Sequence, residues 1–426
     1  MRSQERSATS RRHMRRFAKR TFQDVVRTVR SAPRAGLKAC TTSCLAAGLA
    51  LVAFATVHVQ AHKPITSKYT YNDDVFSIFR DRCGRCHIAG GAAPMSLLTY
   101  KDALPWAESI REELIAERMP PSYVDVESAP VTSSGSVRPL TAREIDTVIT
   151  WATGGTPEGP SARRTEPEPF HADWRSGRPD LVISMDTEYT VPPDTQEDTR
   201  EFLLPTGLPE TRWVKAADLR PGTPSIVRDA SISVDGGAVL ALWVPGDEPA
   251  AAPEGTAFRL AAGARLRLRI HYKKSWQDER SAKSDKSALG LYFTSAPTSD
   301  HELRAMNVEP ERRSTPDATA PEIFGRDVAQ PLTIVGVRPA LDRPYAVVDV
   351  HARLPDGVRV PLLRLHAPRP EWTRRYWLAR AIDLPAGSRL EVSATPTLSD
   401  ADLFPAGARA PASSTPLQIR LDVVSK

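Results

Sequence analysis

The sequence predicts a multidomain chain, an all-α domain followed by an all-β double sandwich, on three observations. A Cys-x-x-Cys-His string follows helically spaced apolar residues, stretches beyond residue 180 alternate apolar and polar positions, and 38 of the 426 residues are proline. That proline content stands well above the average of about 5% and favours short strands and turns over long helices.

Residues 1–61 read as a signal segment with an over-long basic region. Twelve Lys and Arg crowd into residues 1–38 against two acidic residues, and an uncharged stretch runs from Leu45 to Val59. The apolar stretch is short and Ala-rich for a membrane span, and Val59-Gln60-Ala61 offers small residues for cleavage before His62. The expected location is therefore periplasmic or secreted, with an uncleaved membrane anchor as the alternative. Loss of this segment changes the meaning of the formal charge of +6, because it leaves −4 on the remainder. A nucleic-acid partner is thereby excluded as an explanation of the basic pI. Cys40 and Cys44 leave with the segment, so Cys83 and Cys86 remain as one pair.

Residues 63–159 read as helical. Val75, Ile78 and Phe79 have helical spacing ahead of Cys83-Gly84-Arg85-Cys86-His87. Two cysteines at this spacing with a histidine next door are what covalent attachment of one haem c requires. The thiols add across the porphyrin vinyl groups, and the following imidazole becomes the proximal iron ligand. A zinc site would need further ligands, a thioredoxin-type pair would follow a strand, and a plain disulfide leaves His87 unexplained. After Gly90 and Gly91 a helix is predicted from about Pro105, with Ile110 and Leu114 on one face, and Met119-Pro120-Pro121 stops it. A last helix opens on Thr141 and Glu144 as a capping box and carries Ile145, Val148, Ile149 and Ala152 as an apolar stripe.

Met119 and Met95 are the candidates for the distal iron ligand, and either could instead be core filler. Met119 is favoured because two prolines stiffen the loop that follows it, whereas Met95 lies only eight residues past His87.

Residues 160–179 form a linker rich in Pro, Glu and Arg. Beyond it, Ala264, Leu266, Leu268, Ile270 and Tyr272 alternate with Arg265, Arg267, Arg269 and His271, and Leu417, Ile419, Leu421 and Val423 repeat the pattern. Length allows two sandwich halves, 180–300 and 301–426.

The first domain resembles class I-type cytochrome c domains. The resemblance rests on Ala93-Pro94-Met95-Ser96-Leu97-Leu98-Thr99-Tyr100, Pro105-Trp106, Met119-Pro120-Pro121, and Trp151 with Gly154-Gly155-Thr156-Pro157-Glu158-Gly159. It implies that Met119 is the axial ligand. The later region is similar to the jelly-roll-like fold of the copper type II, ascorbate-dependent monooxygenases, that of peptidylglycine and dopamine β-monooxygenases. The residues that carry this are Pro205-Thr206-Gly207, Pro221-Gly222-Thr223-Pro224, Trp243-Val244-Pro245-Gly246, Ile270-His271-Tyr272, Leu354-Pro355-Asp356-Gly357 and Leu384-Pro385-Ala386-Gly387.

That second resemblance implies two copper sites, and this chain departs from both. Where the family has a His-His pair the sequence reads Ile226-Val227-Arg228-Asp229, and only His271 matches the third ligand. Where it has Pro-His-Met-His the sequence reads Pro339-Ala340-Leu341-Asp342, and no methionine follows Met306. Copper is therefore not expected, Arg228 is expected to pair with Asp229 or elsewhere, and the arginines flanking His271 should repel a cation.

The expected function is single-electron transfer by an exported monohaem cytochrome, with the sandwich as a docking or binding module and no catalytic residues of its own. Expected partners are redox proteins, an active monooxygenase paralogue or a cell-surface ligand held by aromatics such as Trp213, Trp276, Trp372 and Trp377. The alternative is a haem-fed copper monooxygenase with rearranged ligands.

Overall fold

A computed structural model describes residues 65–121, 124–125, 131, 139–163, 173–297, 301–310, 320–397 and 416–425. The signal segment, its cleavage point before His62 and the central part of the expected linker lie outside these residues. Among the described residues no helix is long and apolar enough to cross a membrane.

Residues 64–426 form one compact unit that is mainly β, with 41% of the described residues in strands against 17% in helices. This corrects the expected architecture, because among the described residues no all-α domain stands apart from the sheets. The helices are short: a continuous stretch of a π-helical turn Tyr71–Val75, an α turn Phe76–Ile78 and a π-helical turn Phe79–Cys83, then Tyr100–Ala103, Ala107–Ile115 and Ala142–Thr153. Isolated bridges tie this segment into the sheets, Val124 pairing with Leu365 and Val131 with Leu378. The physical reason is area. The helices enclose one small core around Tyr71, Phe79 and Trp151, and the remaining surface of the segment is satisfied by the β body.

The helical boundaries follow local chemistry. Pro105 sits in a 3-10 turn, Leu104–Trp106, that leads into Ala107–Ile115, consistent with its missing N–H and fixed φ. Thr141 and Glu144 form a reciprocal capping box at the start of Ala142–Thr153.

Among the described residues, four four-stranded antiparallel sheets make the β body, together with a two-stranded ribbon. One sheet runs in the order Leu181–Ser184, Ala288–Thr294, Arg212–Arg220, Phe258–Leu260, and encloses a core with a second in the order Glu197–Pro205, Arg265–Lys273, Val227–Val234, Val239–Trp243. A third runs Arg304–Val308, Gln418–Ser425, Leu332–Ala340, Tyr376–Leu384, and shares a core with a fourth, Glu322–Asp327, Arg389–Pro396, Tyr345–Arg353, Arg359–His366. In Arg265–Lys273 the period of two sends Leu266, Leu268, Ile270 and Tyr272 into the core and leaves the arginines outside.

The third sheet contributes to both cores, since Val335, Trp377 and Val424 pack into the first one. Polar groups at this seam must then find partners. Asp422, 1% exposed, accepts from Arg338 Nε at 3.1 Å and Arg375 Nε at 3.0 Å. Arg375 also donates to Leu240 O at 2.6 Å and Val239 O at 2.5 Å, which binds one sheet pair to the other. Burial lowers the Arg375 pKa to about 10.

We expect Asp422→Ala to cost about 3–5 kcal/mol in urea unfolding, because it leaves two buried guanidinium groups without their carboxylate. A loss below about 1 kcal/mol would show that the seam does not depend on this charge.

Candidate functional site

The π-helical turn Phe79–Cys83 ends at Gly84, where an added Cβ would lie 2.7 Å from Arg80 O. Glycine therefore lets the chain turn tightly between Cys83 and His87. His87 N–H donates to Cys83 O at 2.9 Å, and the loop returns so that Leu97 N–H donates to His87 O at 3.0 Å. Behind it Tyr71 hydroxyl donates to Leu97 O at 2.8 Å, and Trp151 Nε1 donates to Pro157 O at 3.1 Å. Tyr71, Phe79 and Trp151 meet at centroid distances of 6.0–6.2 Å as the wall that supports the motif.

Cys83, Cys86, His87, Met95 and Met119 all line one cavity of about 460 Å³. Its other walls are mostly apolar, with Phe79, Leu97, Ile110, Leu114 and Val148 from the helical segment. Arg228, Pro245 and Trp372 of the β body close it. Both free thiols are driven up by burial, Cys83 to about 12 and Cys86 to about 11.

His87 Nδ1 lies 3.3 Å from Met95 O. A carbonyl oxygen only accepts, so Nδ1 carries the proton and Nε2 keeps its lone pair in the neutral ring. Burial holds the imidazole below its ordinary pKa, which favours that neutral form. A donor bond from the distal ring nitrogen to a backbone carbonyl is the support metal-bound histidines use. It also places the Met95 backbone on the Nδ1 side of the ring, away from Nε2. Met95 packs against the helical core, whereas Met119 is half-buried on the cavity wall outside that core.

The β body is locked onto the motif. Cys86 Sγ donates to Pro245 O at 3.3 Å, and Arg85 Nη1 pairs with Glu248 at 2.9 Å. Gly246 has φ +85°, and a Cβ there would stand 2.8 Å from Cys86 Sγ. Arg374 pairs with Asp247 at 2.7 Å and donates to Pro121 O at 2.5 Å, so one guanidinium holds both this turn and the segment after Met119.

The positions expected from the copper resemblance look different from one another. Arg228 does not pair with Asp229: its Nη1 donates to Ala92 O at 2.5 Å, in the loop beyond His87. Asp229 instead bonds His271 Nδ1 at 2.6 Å, and Glu197 bonds Nε2 at 2.8 Å. The immediate neighbours of His271 are thus carboxylates, not the arginines that strand alternation suggested, because Glu197 and Asp229 lie on the two adjoining strands. Pro339, Ala340 and Leu341 line a separate cleft of about 300 Å³ with Asp229, Arg269 and Arg420. Among the described residues no group of three or more His, Cys, Asp or Glu is arranged to hold a metal ion.

The four tryptophans do not share one environment. Trp377 is buried at the seam, Trp372 faces the cavity, Trp213 is half-buried, and Trp276 is exposed on a 3-10 turn. Sequence reasoning missed Arg374, Asp247 and Gly246 as parts of the site. The Trp-Val-Pro-Gly string marked a turn, but its packing partner is about 160 residues away.

No known protein family and no curated protein matches the chain. Among solved structures, a Bacteroides ovatus protein described as an alpha-L-fucosidase is 11% identical over 67% of this chain, with a TM-score of 0.19, and the chain spans 43% of its length. The major capsid protein P2 of bacteriophage PM2 is 10% identical over 51% of this chain and 97% of its own, with a TM-score of 0.21.

The Asp229 carboxylate, with Glu197 on the other side, raises the His271 pKa. Its stabilising effect is then fully present below the unfolded value of about 6.5 and is lost as pH rises through the folded value. We expect the unfolding free energy of the wild type to exceed that of His271→Gln by more at about pH 6 than at about pH 9. A difference that stays constant across this range would contradict the charged pairing.

Proposed function

We propose that the protein binds one haem c and transfers single electrons. The observation that carries this reading is the apolar cavity of about 460 Å³ into which both cysteines of the Cys-x-x-Cys-His string, His87 and Met119 open together. Cys83 and Cys86 would hold the group through thioether bonds, His87 Nε2 would be the proximal ligand and Met119 the distal one. Such a group supplies an iron that changes oxidation state by one electron. The chain itself supplies a wall that excludes water, a His87 ring fixed by Met95 O, and a Met119 segment fixed through Pro121 O by Arg374.

Copper chemistry is not part of this reading. Both ring nitrogens of His271 are engaged by carboxylates, and Arg228, Ala340 and Leu341 offer no imidazole or thioether. The β body serves to close the cavity and to present the protein to a redox partner. The export expected from the amino-terminal segment would agree with this, since haem c is attached outside the cytoplasm.

The full chain made with haem-maturation machinery should carry one covalent haem per polypeptide, resistant to acid-acetone extraction, and Cys83→Ala with Cys86→Ala should abolish it. Met119→Ala should remove the weak near-infrared sulfur-to-iron band and lower the midpoint potential, whereas Met95→Ala should keep both. A band lost only in Met95→Ala would reassign the distal ligand.

Iron should approach one equivalent, and copper should stay well below one after dialysis against excess copper and desalting. Stoichiometric copper with ascorbate-dependent hydroxylation of any substrate would overturn the electron-carrier reading.

A further inference from the structure

Arg228 has an unusual place in its sheet. The register between Val227–Val234 and Arg265–Lys273 shifts so that Val227 faces Tyr272 and Asp229 faces His271, leaving Arg228 as the extra residue of a β-bulge. A bulge bends the strand and re-aims the side chain it carries. Here the guanidinium reaches out of the sheet, donates one N–H to Ala92 O and lines the cavity that holds Cys83, Cys86 and His87.

The cavity's other arginines already have carboxylates. Arg82 pairs with Glu144 at 2.9 Å and Arg85 with Glu248 at 2.9 Å. Among the described residues, Arg228 forms no ion pair, and its remaining guanidinium nitrogens have no hydrogen-bond partner. None of those nitrogens is a sealed, unsatisfied atom, so they reach accessible space. A half-buried guanidinium with donors to spare on a mostly apolar wall is matched by a carboxylate.

We propose that Arg228 belongs to the cofactor site, where it binds a carboxylate of the haem held at Cys83 and Cys86 and thereby makes the β body part of the redox centre. This rests on the haem reading above. Haem carries two propionate carboxylates, and a fork of N–H donors with fixed charge suits one of them. A cation beside the group disfavours its more positive, oxidised form, so Arg228 raises the potential. It acts as a positioning residue through the cofactor's periphery, not as an iron ligand.

The test uses the full-length holoprotein. Arg228→Gln keeps an N–H donor for Ala92 O and removes the charge, and Arg228→Lys keeps the charge without the fork. Covalent haem content and the near-infrared band should match wild type in both, while the midpoint potential falls in Arg228→Gln and falls less in Arg228→Lys. An Arg228→Gln variant with full haem content and wild-type potential would show that Arg228 is only a strut to the loop. If that variant does not accumulate, resonance Raman of the wild type decides: the propionate bending bands should shift in D2O, and unshifted bands overturn the proposal. A wild-type protein without covalent haem would instead defeat the haem reading itself.

Discussion

Two adjacent arginines carry the arrangement on which the rest of the molecule depends. Arg374 and Arg375 enter the seam between the sheet pairs, both nearly buried, and spend their donors on different elements. Arg375 joins Asp422 of the third sheet to the carbonyls of Val239 and Leu240 in the second. Arg374 joins Asp247 of the turn after Trp243 to Pro121 O, beside the cavity. Burying guanidinium groups costs several kcal/mol unless charge and hydrogen bonds are both satisfied, so the geometry around them is narrowly specified. The placement of the Met119 segment therefore follows from a contact made more than 250 residues further along the chain.

Apolar packing reinforces the same joint. The guanidinium of Arg375 lies 4.9 Å from the Trp377 ring and 5.0 Å from the Phe258 ring, one on each side of the seam. The third sheet contributes to the cores of both sheet pairs, and Gly336 admits the Trp377 ring where a Cβ would meet it at 2.7 Å. Close packing of this kind transmits position, not motion. The turn Pro245–Gly246 is thereby set against Cys86 with little freedom, and the cavity gains a rigid lid from the β body.

The strand that begins at Val227 joins this structural role to a chemical one. The bulge takes Arg228 out of the pairing with Arg265–Lys273 and leaves its neighbour Asp229 opposite His271. Asp229 turns to His271 and becomes part of a satisfied polar cluster on the sheet. Arg228 turns to the loop beyond His87, where it adds a guanidinium to a mostly apolar wall whose other arginines, Arg82 and Arg85, are paired with carboxylates. Helical segment and sheets thus share one site, which is why the segment is not a separate all-α domain.

The sequence by itself determined the local features: the Cys83-Gly84-Arg85-Cys86-His87 string, the Thr141 and Glu144 cap and the alternation of Arg265–Lys273. Each depends on neighbours within a turn or along one strand, where spacing and residue type are sufficient. The helix expected to run to Met119-Pro120-Pro121 instead ends at Ile115, with Glu117 in a positive-φ turn. The independence of the helical segment was misread, because periodicity says which face is apolar but not what covers it. The partners of Arg228, Asp229 and His271 were also out of reach, since a bulge and the adjoining strands set them. Only the tertiary structure decided that Gly246, Asp247 and Arg374 reach the cavity, because long-range contacts between short elements leave no period in the chain.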